Sequence, residues 1–304
     1  MRPDPRHYQI AVLTALLAYG LTRLDFEVTG MQAVAMLTTA LLTQYLFTLL
    51  WIPGKAAFDP RSALISGLSL CLMLRTNSLE LAMAAAVITV ASKFVIRIQG
   101  SHLFNPTNFG IVVMLLTGQA WVSAGQWGNV AFFAFLMACL GSLVVTRAAR
   151  SDVTLSFIVF YMTLVFGRSL WLGEPMSIPI HRLQSGALLL FSFFMISDPR
   201  TTPSSRAGRI LFALLVACGA WYVQFRLFRT NGLLWSLAAC SMTVPLINQL
   251  LPGRRYEWSR PGIGSLAPGE VAYETTGSDR GSSRGMRVVA SHAPGLLRFL
   301  RIQG

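Results

Sequence analysis

Charged residues are scarce in this sequence. They make up 12% of the 304 residues, whereas they approach about a quarter of an ordinary soluble domain. Hydrophobic residues make up 54% and form blocks that are separated by short polar links. Such blocks favour a bundle of membrane-spanning helices over one large soluble core. The composition therefore argues against a soluble enzyme and predicts an integral membrane protein in contact with the lipid bilayer.

Cysteine and histidine are also scarce, with four residues of each type. The cysteines lie singly in different apolar blocks, without the C-x-x-C spacing of zinc or iron–sulfur sites, and are interpreted as packing residues. The histidines show no pairing typical of haem ligation, and neither a nucleotide-binding glycine loop nor a hydrolase triad occurs. The sequence thus predicts no metal site and no catalytic residue, so soluble dinucleotide chemistry would belong to a partner.

The apolar blocks predict an all-α, polytopic membrane fold with about ten transmembrane helices. We expect this membrane domain to occupy residues 1–255. Residues 256–304 are rich in glycine, serine and arginine and are predicted to form a disordered, basic cytoplasmic tail. The predicted spans cover approximately 8–22, 32–52, 62–74, 79–96, 106–117, 130–146, 153–172, 183–197, 208–225 and 233–251.

The net charge of +13 comes from basic residues that are dispersed between the apolar blocks. They form no patch interleaved with aromatic residues, so nucleic acid is not expected as a partner. We assigned each basic residue of the spans and links to one side of the membrane. Thirteen fall on the side that holds both termini, and six fall on the other side. By the positive-inside rule, this asymmetry predicts a multi-pass membrane protein with cytoplasmic N- and C-termini.

Two of the blocks, 62–74 and 183–197, are too short to cross the membrane. At 1.5 Å per residue they reach only about 20 Å, against a hydrocarbon core of roughly 30 Å. Each has a Ser-Gly pair near its start and a polar cluster at its end. These shared features predict two five-span repeats, 8–117 and 130–251, of which the second is inverted because the number of spans is odd. The alternative is a ten-span bundle whose short spans have no functional meaning.

The first candidate site is the polar link 100–108. Asn105 precedes Pro106 and is thereby pushed out of helical geometry, which predicts a helix that begins there with free N–H groups. Such groups favour an anion or an electron-rich carbonyl. Asn105 and Asn108 add paired donors and acceptors, and Phe104 offers a stacking face for a planar ring. The alternative is an ordinary Asn-Pro turn.

The second candidate site is the link 198–203, which ends the second half-span. A carboxylate such as Asp198 so close to the hydrocarbon is costly unless it is paired, and Arg200 is the nearest possible partner in sequence. Ionisable groups within a membrane are functional by default. At the interface, however, an Asp-Pro pair also serves simply to cap a turn, so both interpretations stay open.

At these two links the sequence resembles NqrB and RnfD, which are membrane subunits of the sodium-pumping NADH–quinone reductase and of the Rnf electron-transport complex. The stretch G-S-H-L-F-N-P from Gly100 is similar to the family pattern G-x-N-P-F-N-P. The stretch F-M-I-S-D-P-R-T-T-P from Phe194 is similar to F-M-A-T-D-P-V-T-S-P. The resemblance covers about 58–255 and implies the same ten-span inverted repeat.

The resemblance also implies a function. Members of this family carry flavins, work with other membrane or membrane-associated redox subunits, and couple electron transfer to ion movement. A noncovalent flavin, either riboflavin or FMN, is therefore expected at the two links, although His102 stands where the family usually has Asn. The positions that match the family pattern are Phe104, Asn105, Pro106 and Asp198. The residues expected to bind the cofactor are these four together with His102, Asn108 and Thr201.

One departure from the family concerns covalent flavin. Full-length relatives have an extracytoplasmic loop with an S-G-A-T-type motif, whose Thr carries FMN through a phosphoester. Between Leu116 and Gly128 this chain has only a short link without that motif. We therefore predict no covalent flavin. In this brevity the chain looks more like stand-alone relatives such as the UnbU-type proteins of enediyne gene clusters.

Three functions remain open at this point. The first is an electron-transfer subunit with a noncovalent flavin, in which the cofactor performs the chemistry and the protein tunes it. The second is a transporter or channel in which Asp198 lies on an ion or solute path. The third is an assembly subunit that kept the fold and lost the cofactor.

Overall fold

Residues 4–23, 27–51, 58–98, 100–123, 151–183 and 185–253 are described by a computed structural model. All of them lie in one compact unit, Met1–Tyr256, and most are helical. The predicted span 130–146 and the predicted tail 256–304 lie outside the described residues. The short link between Leu116 and Gly128, which is expected to lack the covalent flavin motif, is described only as far as residue 123.

The first half of the described chain contains five helices, and each agrees within three residues with a predicted block. They are α1 (Pro5–Arg23), α2 (Gly30–Trp51), α3 (Arg61–Met73), α4 (Leu79–Val95) and α5 (Pro106–Leu116). Two short antiparallel strand pairs were not predicted, because two or three residues carry no readable alternation. They are β1 (Leu74–Thr76) with β4 (Ala120–Val122), and β2 (Arg97–Ile98) with β3 (Ser101–His102).

The second half departs from prediction at two spans. The predicted span 183–197 is an α-helix that begins at Gly186 and continues as a π-helical turn, and the predicted span 233–251 is two helices bent by 52°. Pro245 lies in the first turn of the second helix, where its ring prevents the preceding helix from continuing. The elements are α6 (Ser151–Leu172), α7 (Ser177–Leu183), α8 (Gly186–Leu190), the π-helical turn (Phe191–Met195), α9 (Arg206–Phe225), α10 (Gly232–Ser241) and α11 (Val244–Leu250).

Three of the described helices, α2, α6 and α9, are long and apolar enough to cross a membrane. The bent pair α10 and α11 adds a fourth if it counts as one span. Exposed leucine, valine and aromatic side chains line the outer surfaces of these helices, as expected where lipid is the solvent. The helices thus agree with an integral membrane protein, while a total of ten spans stays a prediction.

The end of the short helix α3 is closed by a buried arginine. Arg75 is only 2% exposed, and its guanidinium donates to the carbonyls of Cys71 (3.0 Å), Leu74 (2.9 Å) and Leu72 (3.3 Å). These carbonyls belong to the last turn, where a helix lacks internal partners and favours a positive charge. Arg75 therefore allows a half-span to end without leaving its carbonyls unsatisfied.

Two helix pairs approach each other closely at a glycine. A Cβ added at Gly110 of α5 would lie 1.8 Å from Oγ1 of Thr89 on α4, and one added at Gly219 of α9 would lie 2.4 Å from Oγ of Ser236 on α10. Small residues at helix contacts are a common basis of packing in membranes, because they let the backbones approach. The two contacts fix α4 against α5 and α9 against α10.

We expect Gly110→Ala to destabilise the protein by about 1–3 kcal/mol, because the new methyl group overlaps Thr89 and the helices must separate. The measurement is the thermal unfolding midpoint of the detergent-solubilised protein. Gly167→Ala on α6 is the matched control, since a Cβ there meets nothing within 4 Å. Equal midpoints for the two variants would contradict the close contact.

A network of four charged residues joins the start of α1 to the start of α3. Arg6 pairs with Asp4 at 2.7 Å and with Asp59 at 2.6 Å, and Arg61 pairs with Asp4 at 3.0 Å and with Asp59 at 2.8 Å. Partial burial alone would raise the pKa of Asp59, but hydrogen bonds from Arg61 and Arg6 outweigh it and lower that pKa to about 2. Each carboxylate is thus shared by both arginines, which places the beginnings of α1 and α3 on one side of the molecule.

The lowered pKa of Asp59 predicts an acid-dependent contribution to stability. Because the folded pKa lies below the unfolded value, this contribution is complete above about pH 4 and is lost as the pH falls toward 2. We expect Asp59→Asn to lower the unfolding midpoint at pH 6 and to make little difference near pH 2. A difference between the two proteins that stays constant over this pH range would contradict the assignment.

Candidate functional site

The two candidate links are in contact. Nδ2 of Asn105 donates to Oδ2 of Asp198 and to the backbone carbonyl of Met195, both at 3.3 Å. Asn105 and Asp198 are 93 residues apart in sequence, and each lies in a different predicted repeat. The structure therefore brings the Asn-Pro link and the Asp-Pro link together.

Asn105 is held on both sides of its amide group. Its Oδ1 accepts from the backbone N–H of Asn108 at 3.1 Å, so Asn105 is the N-cap of α5 with Pro106 in the first turn. This bond leaves Nδ2 to face the second half, where its two protons have the acceptors of Asp198 and Met195. Asn105 therefore orients the Asp-Pro link, and its amide is already engaged within the protein.

Asn108 lies one turn into α5 and is fully buried. Its Nδ2 donates to the carbonyl of Leu234 on α10 at 3.2 Å, which ties α5 to α10. Its Oδ1 is buried and, within the described part of the chain, has no hydrogen-bond partner. Buried acceptors normally receive a hydrogen bond, and the described residues supply no donor to this one.

Asp198 forms a tight turn as well as the cross-link. Its Oδ1 accepts from the backbone N–H of Arg200 at 3.0 Å, and its carbonyl accepts from the N–H groups of Thr201 and Thr202, each at 3.2 Å. The hydroxyl of Thr201, which is buried, lies 3.5 Å from the same carbonyl. The aspartate thus caps a turn and also contacts the other link, while a functional role for Asp198 stays a prediction.

His102 lies against Arg200 across the two links. Nη1 of Arg200 donates to Nε2 of His102 at 3.3 Å. Burial, followed by the charges of Arg200, Arg97 and Lys93, lowers the pKa of His102 to about 3. The imidazole is therefore neutral at physiological pH, and it serves as a hydrogen-bonding group without carrying charge.

Phe104 precedes α5 and packs against a residue of that helix. Its ring lies 5.2 Å from the ring of Phe109, tilted by 31°. This contact fixes the aromatic side chain beside the Asn-Pro link, next to the cap formed by Asn105. The predicted site residues therefore collect around one junction, at which Pro106 begins the helix.

Several groups at this junction were missed from the sequence. The carbonyls of Met195 and Leu234 are backbone atoms, which every residue carries, so nothing marks them in a sequence. Lys93 had a readable signal, as a cation at the end of an apolar block. It is 4% exposed, and its Nζ donates to Ser62 at the backbone carbonyl (2.8 Å) and at Oγ (3.1 Å).

Interrupted helices that meet at a polar junction, together with long apolar helices, define a mostly helical integral membrane protein. The sequence model of the NQR2, RnfD, RnfE family matches residues 115–257, which include the Asp-Pro link. The resemblance to this family is thereby confirmed.

Relatives with a described function support the same family. The chain is 32% identical over 159 residues to the D subunit of the ion-translocating oxidoreductase complex of Erwinia tasmaniensis, covering 51% of this chain and 40% of the relative. It is also 32% identical over 145 residues to the protein of that name from Escherichia coli O1:K1 / APEC, covering 47% and 38%. The chain thus spans about two fifths of the length of these relatives.

We expect Asn105 and Asp198 to be energetically coupled. In a double-mutant cycle of Asn105→Ala and Asp198→Ala, the coupling should be about 0.5–3 kcal/mol, because a hydrogen bond to a carboxylate joins the two residues. Denaturant or thermal unfolding in detergent measures it. The control cycle combines Asn105→Ala with Asp152→Ala, which pairs with Arg209 elsewhere. Additive effects in both cycles would contradict the junction.

Proposed function

We propose that this chain is a membrane subunit of an Rnf- or Nqr-like electron-transport system and that it transfers electrons through a noncovalently bound flavin at the junction of the two links. The observation that carries the proposal is the contact of Asn105 with Asp198, which brings the two motifs of the resemblance into one place. Electron transfer is further supported by relatives that are named as subunits of an ion-translocating oxidoreductase complex.

The residues at the junction fit a flavin. Nδ1 of His102 and Oδ1 of Asn108 are both buried, and neither has a partner of standard geometry among the described residues. The edge of a flavin ring carries carbonyl acceptors next to an N–H donor, so it offers a partner to each kind of atom. A few buried polar atoms in apolar surroundings are typical of cofactor sites.

The protein would hold and tune the cofactor at this junction. Asp198 is fixed by Asn105 and by the backbone of Arg200, so its carboxylate keeps one orientation. Phe104 and Phe109 provide an aromatic surface at the Asn-Pro link. When bound, a flavin supplies one- and two-electron transfer, and the surrounding residues set its position and electronics.

We further propose the inverted-repeat fold with about ten spans. In the first half α4 packs against both α2 and α5, and in the second half α9 packs against both α6 and α10. The close glycine contacts occur in the α4–α5 and α9–α10 pairs, which are equivalent in this arrangement. The recurrence of the same packing order supports a second copy of the first five-span unit.

The proposed location is the bacterial inner membrane, with both termini in the cytoplasm and with other redox subunits as partners. Asp4 and Arg6 at the start of α1 pair with Asp59 and Arg61 at the start of α3. These four residues fall on the side to which the positive-inside rule assigns the termini. Coupling of electron transfer to ion movement is part of the proposal, with the ion unspecified.

Transport without redox chemistry is the second candidate. The observation in its favour is the burial of Lys93 within the helical unit, because ionisable residues inside membranes mark substrate and ion paths. Solute or ion flux in liposomes without a redox partner, abolished by Lys93→Met in a protein that still folds, would favour this candidate over electron transfer.

The absorption spectrum tests the flavin proposal. We expect gently solubilised, partner-bound protein to be yellow, and acid precipitation to release the flavin into the supernatant because no covalent bond holds it. Asp198→Asn should lower the flavin content several-fold, because the turn and the cross-link lose a charged acceptor.

Glu174→Gln is the matched control. Glu174 pairs with Arg168 beyond the far end of α6, so this variant should keep its flavin while losing the same charge. Colourless wild-type protein in intact complexes would refute the flavin proposal. Flavin that stays with the precipitated protein would refute noncovalent binding.

A further inference from the structure

Four arginines collect where helices α6 and α9 end. The guanidinium carbons of Arg168 and Arg182 lie over the ring of Phe225, 4.4 and 4.8 Å from its centroid. Phe225 is the last residue of α9 and is buried, and the exposed residues Arg226 and Arg229 follow it in the link to α10. The face of an aromatic ring attracts cations, so Phe225 holds two guanidinium groups at one place. These four arginines form the arginine cluster.

The described residues compensate only part of the charge of the arginine cluster. Glu174 accepts from Nη1 of Arg168 at 2.7 Å and from Oγ of Ser169 at 2.9 Å, so both of its carboxylate oxygens are engaged. Within the described ranges, the other three arginines of the cluster form no ion pair with a carboxylate. The cluster therefore carries an excess of positive charge.

The arginine cluster lies at the level of a membrane interface. Asp152 at the start of α6 pairs with Arg209 at the start of α9, and Arg168 meets Phe225 at their ends, so the two helices run parallel. They contain 22 and 20 residues, which gives about 30 Å at 1.5 Å per residue and matches the hydrocarbon core. The ends of α6 and α9 therefore reach one of the two headgroup regions.

Large apolar side chains beside the arginines point outward. Trp171 follows Arg168 by about one helical turn and is 89% exposed. Phe228 lies between Arg226 and Arg229 and is 82% exposed. Its φ of 52° is a left-handed conformation, which is rare for a bulky residue, and such conformations cluster at functional sites. Exposed rings next to basic residues are typical of the headgroup region of a membrane.

Lipid is the occupant that these surroundings favour. An aromatic belt explains exposed rings at this depth, but it does not require arginines beside them. The positive-inside rule assigns only six basic residues to this side of the membrane, and four of them are the arginine cluster. Basic pockets at the ends of membrane helices are sites where anionic headgroups bind.

We propose that the arginine cluster binds the phosphate of an anionic phospholipid headgroup and that Trp171 and Phe228 contact the lipid around it. Guanidinium groups form charge-assisted and often bidentate hydrogen bonds to phosphate. Phosphatidylglycerol keeps its negative charge, whereas the choline of phosphatidylcholine neutralises the same phosphate, so the cluster selects the anionic lipid. This inference does not depend on flavin binding.

Native mass spectrometry of the full chain tests the lipid site. The protein is purified in a nonionic detergent, freed of lipid and titrated with dioleoyl-phosphatidylglycerol or with dioleoyl-phosphatidylcholine, which have the same acyl chains. We expect the first phosphatidylglycerol to bind roughly tenfold or more tightly than the first phosphatidylcholine, because charge-assisted hydrogen bonds add to its affinity. Equal affinities of the wild-type protein for the two lipids would overturn the inference.

Two variants locate the binding site. Arg182→Gln removes a cation from the ring of Phe225 and should reduce the preference for phosphatidylglycerol several-fold, with phosphatidylcholine binding nearly unchanged. Phe225→Leu keeps every charge and an apolar side chain but removes the aromatic face, so it should also reduce the preference. Thermal unfolding in detergent shows whether each variant folds. If Phe225→Leu does not fold, Arg182→Gln alone decides.

Arg23→Gln is the matched control. Arg23 is an exposed arginine at the end of α1, assigned to the same side of the membrane, and its replacement changes the net charge equally. This variant should keep the preference for phosphatidylglycerol. An equal reduction in Arg23→Gln and in Arg182→Gln would indicate diffuse attraction to anionic lipid and would overturn the inference.

Free phosphate and an acidic partner protein are the other candidate occupants. The titration is therefore repeated with inorganic phosphate in large excess. Unchanged affinity for phosphatidylglycerol supports the lipid assignment, whereas displacement of the lipid would assign the cluster to a soluble anion. Loss of a co-purifying protein from Arg182→Gln, with equal lipid affinities in the wild-type protein, would assign the cluster to an acidic partner. Either of these last two results would overturn the inference.

Discussion

The hydrogen bond from Asn105 to Asp198 joins the two halves of the chain at the point where their helices are interrupted. Within a bilayer, an interrupted helix must find partners for peptide groups that lipid does not satisfy. This chain does so with side chains, as Asn105 caps α5 while Arg75 takes the last carbonyls of α3. The same Asn105 amide then reaches Met195 and Asp198. Asn105 thus both caps the start of α5 and positions the Asp-Pro link.

The helices were largely predictable from the sequence, because a membrane span must be a long apolar block. The start of α5 was also readable, since Asn105 and Pro106 are side-chain signals for a cap and a first turn. The break between α10 and α11 was missed although Pro245 marked it. The short strands gave no signal, as with β1 and β4, whose three-residue pairing depends on residues far apart in sequence.

The junction was predictable only in part. Side chains such as Asn105, Asn108 and Asp198 stood out because polar groups beside apolar blocks are costly unless they bind something. Their partners did not stand out, because the carbonyls of Met195 and Leu234 are identical in kind to every other carbonyl. The contact between His102 and Arg200 required the two links to be adjacent, which the resemblance and the repeat implied without specifying which atoms meet.

The π-helical turn places a constraint on the length of the chain before Asp198. The N–H of Ile196 bonds to the carbonyl of Phe191 at 3.0 Å, five residues earlier, so this turn holds one residue more than an α-helical turn. Each residue in a helix advances the direction of its side chain by about 100°. Loss of any one residue between Phe191 and Met195 would therefore rotate Asp198 away from Asn105. Substitutions in this segment should therefore be tolerated better than insertions or deletions.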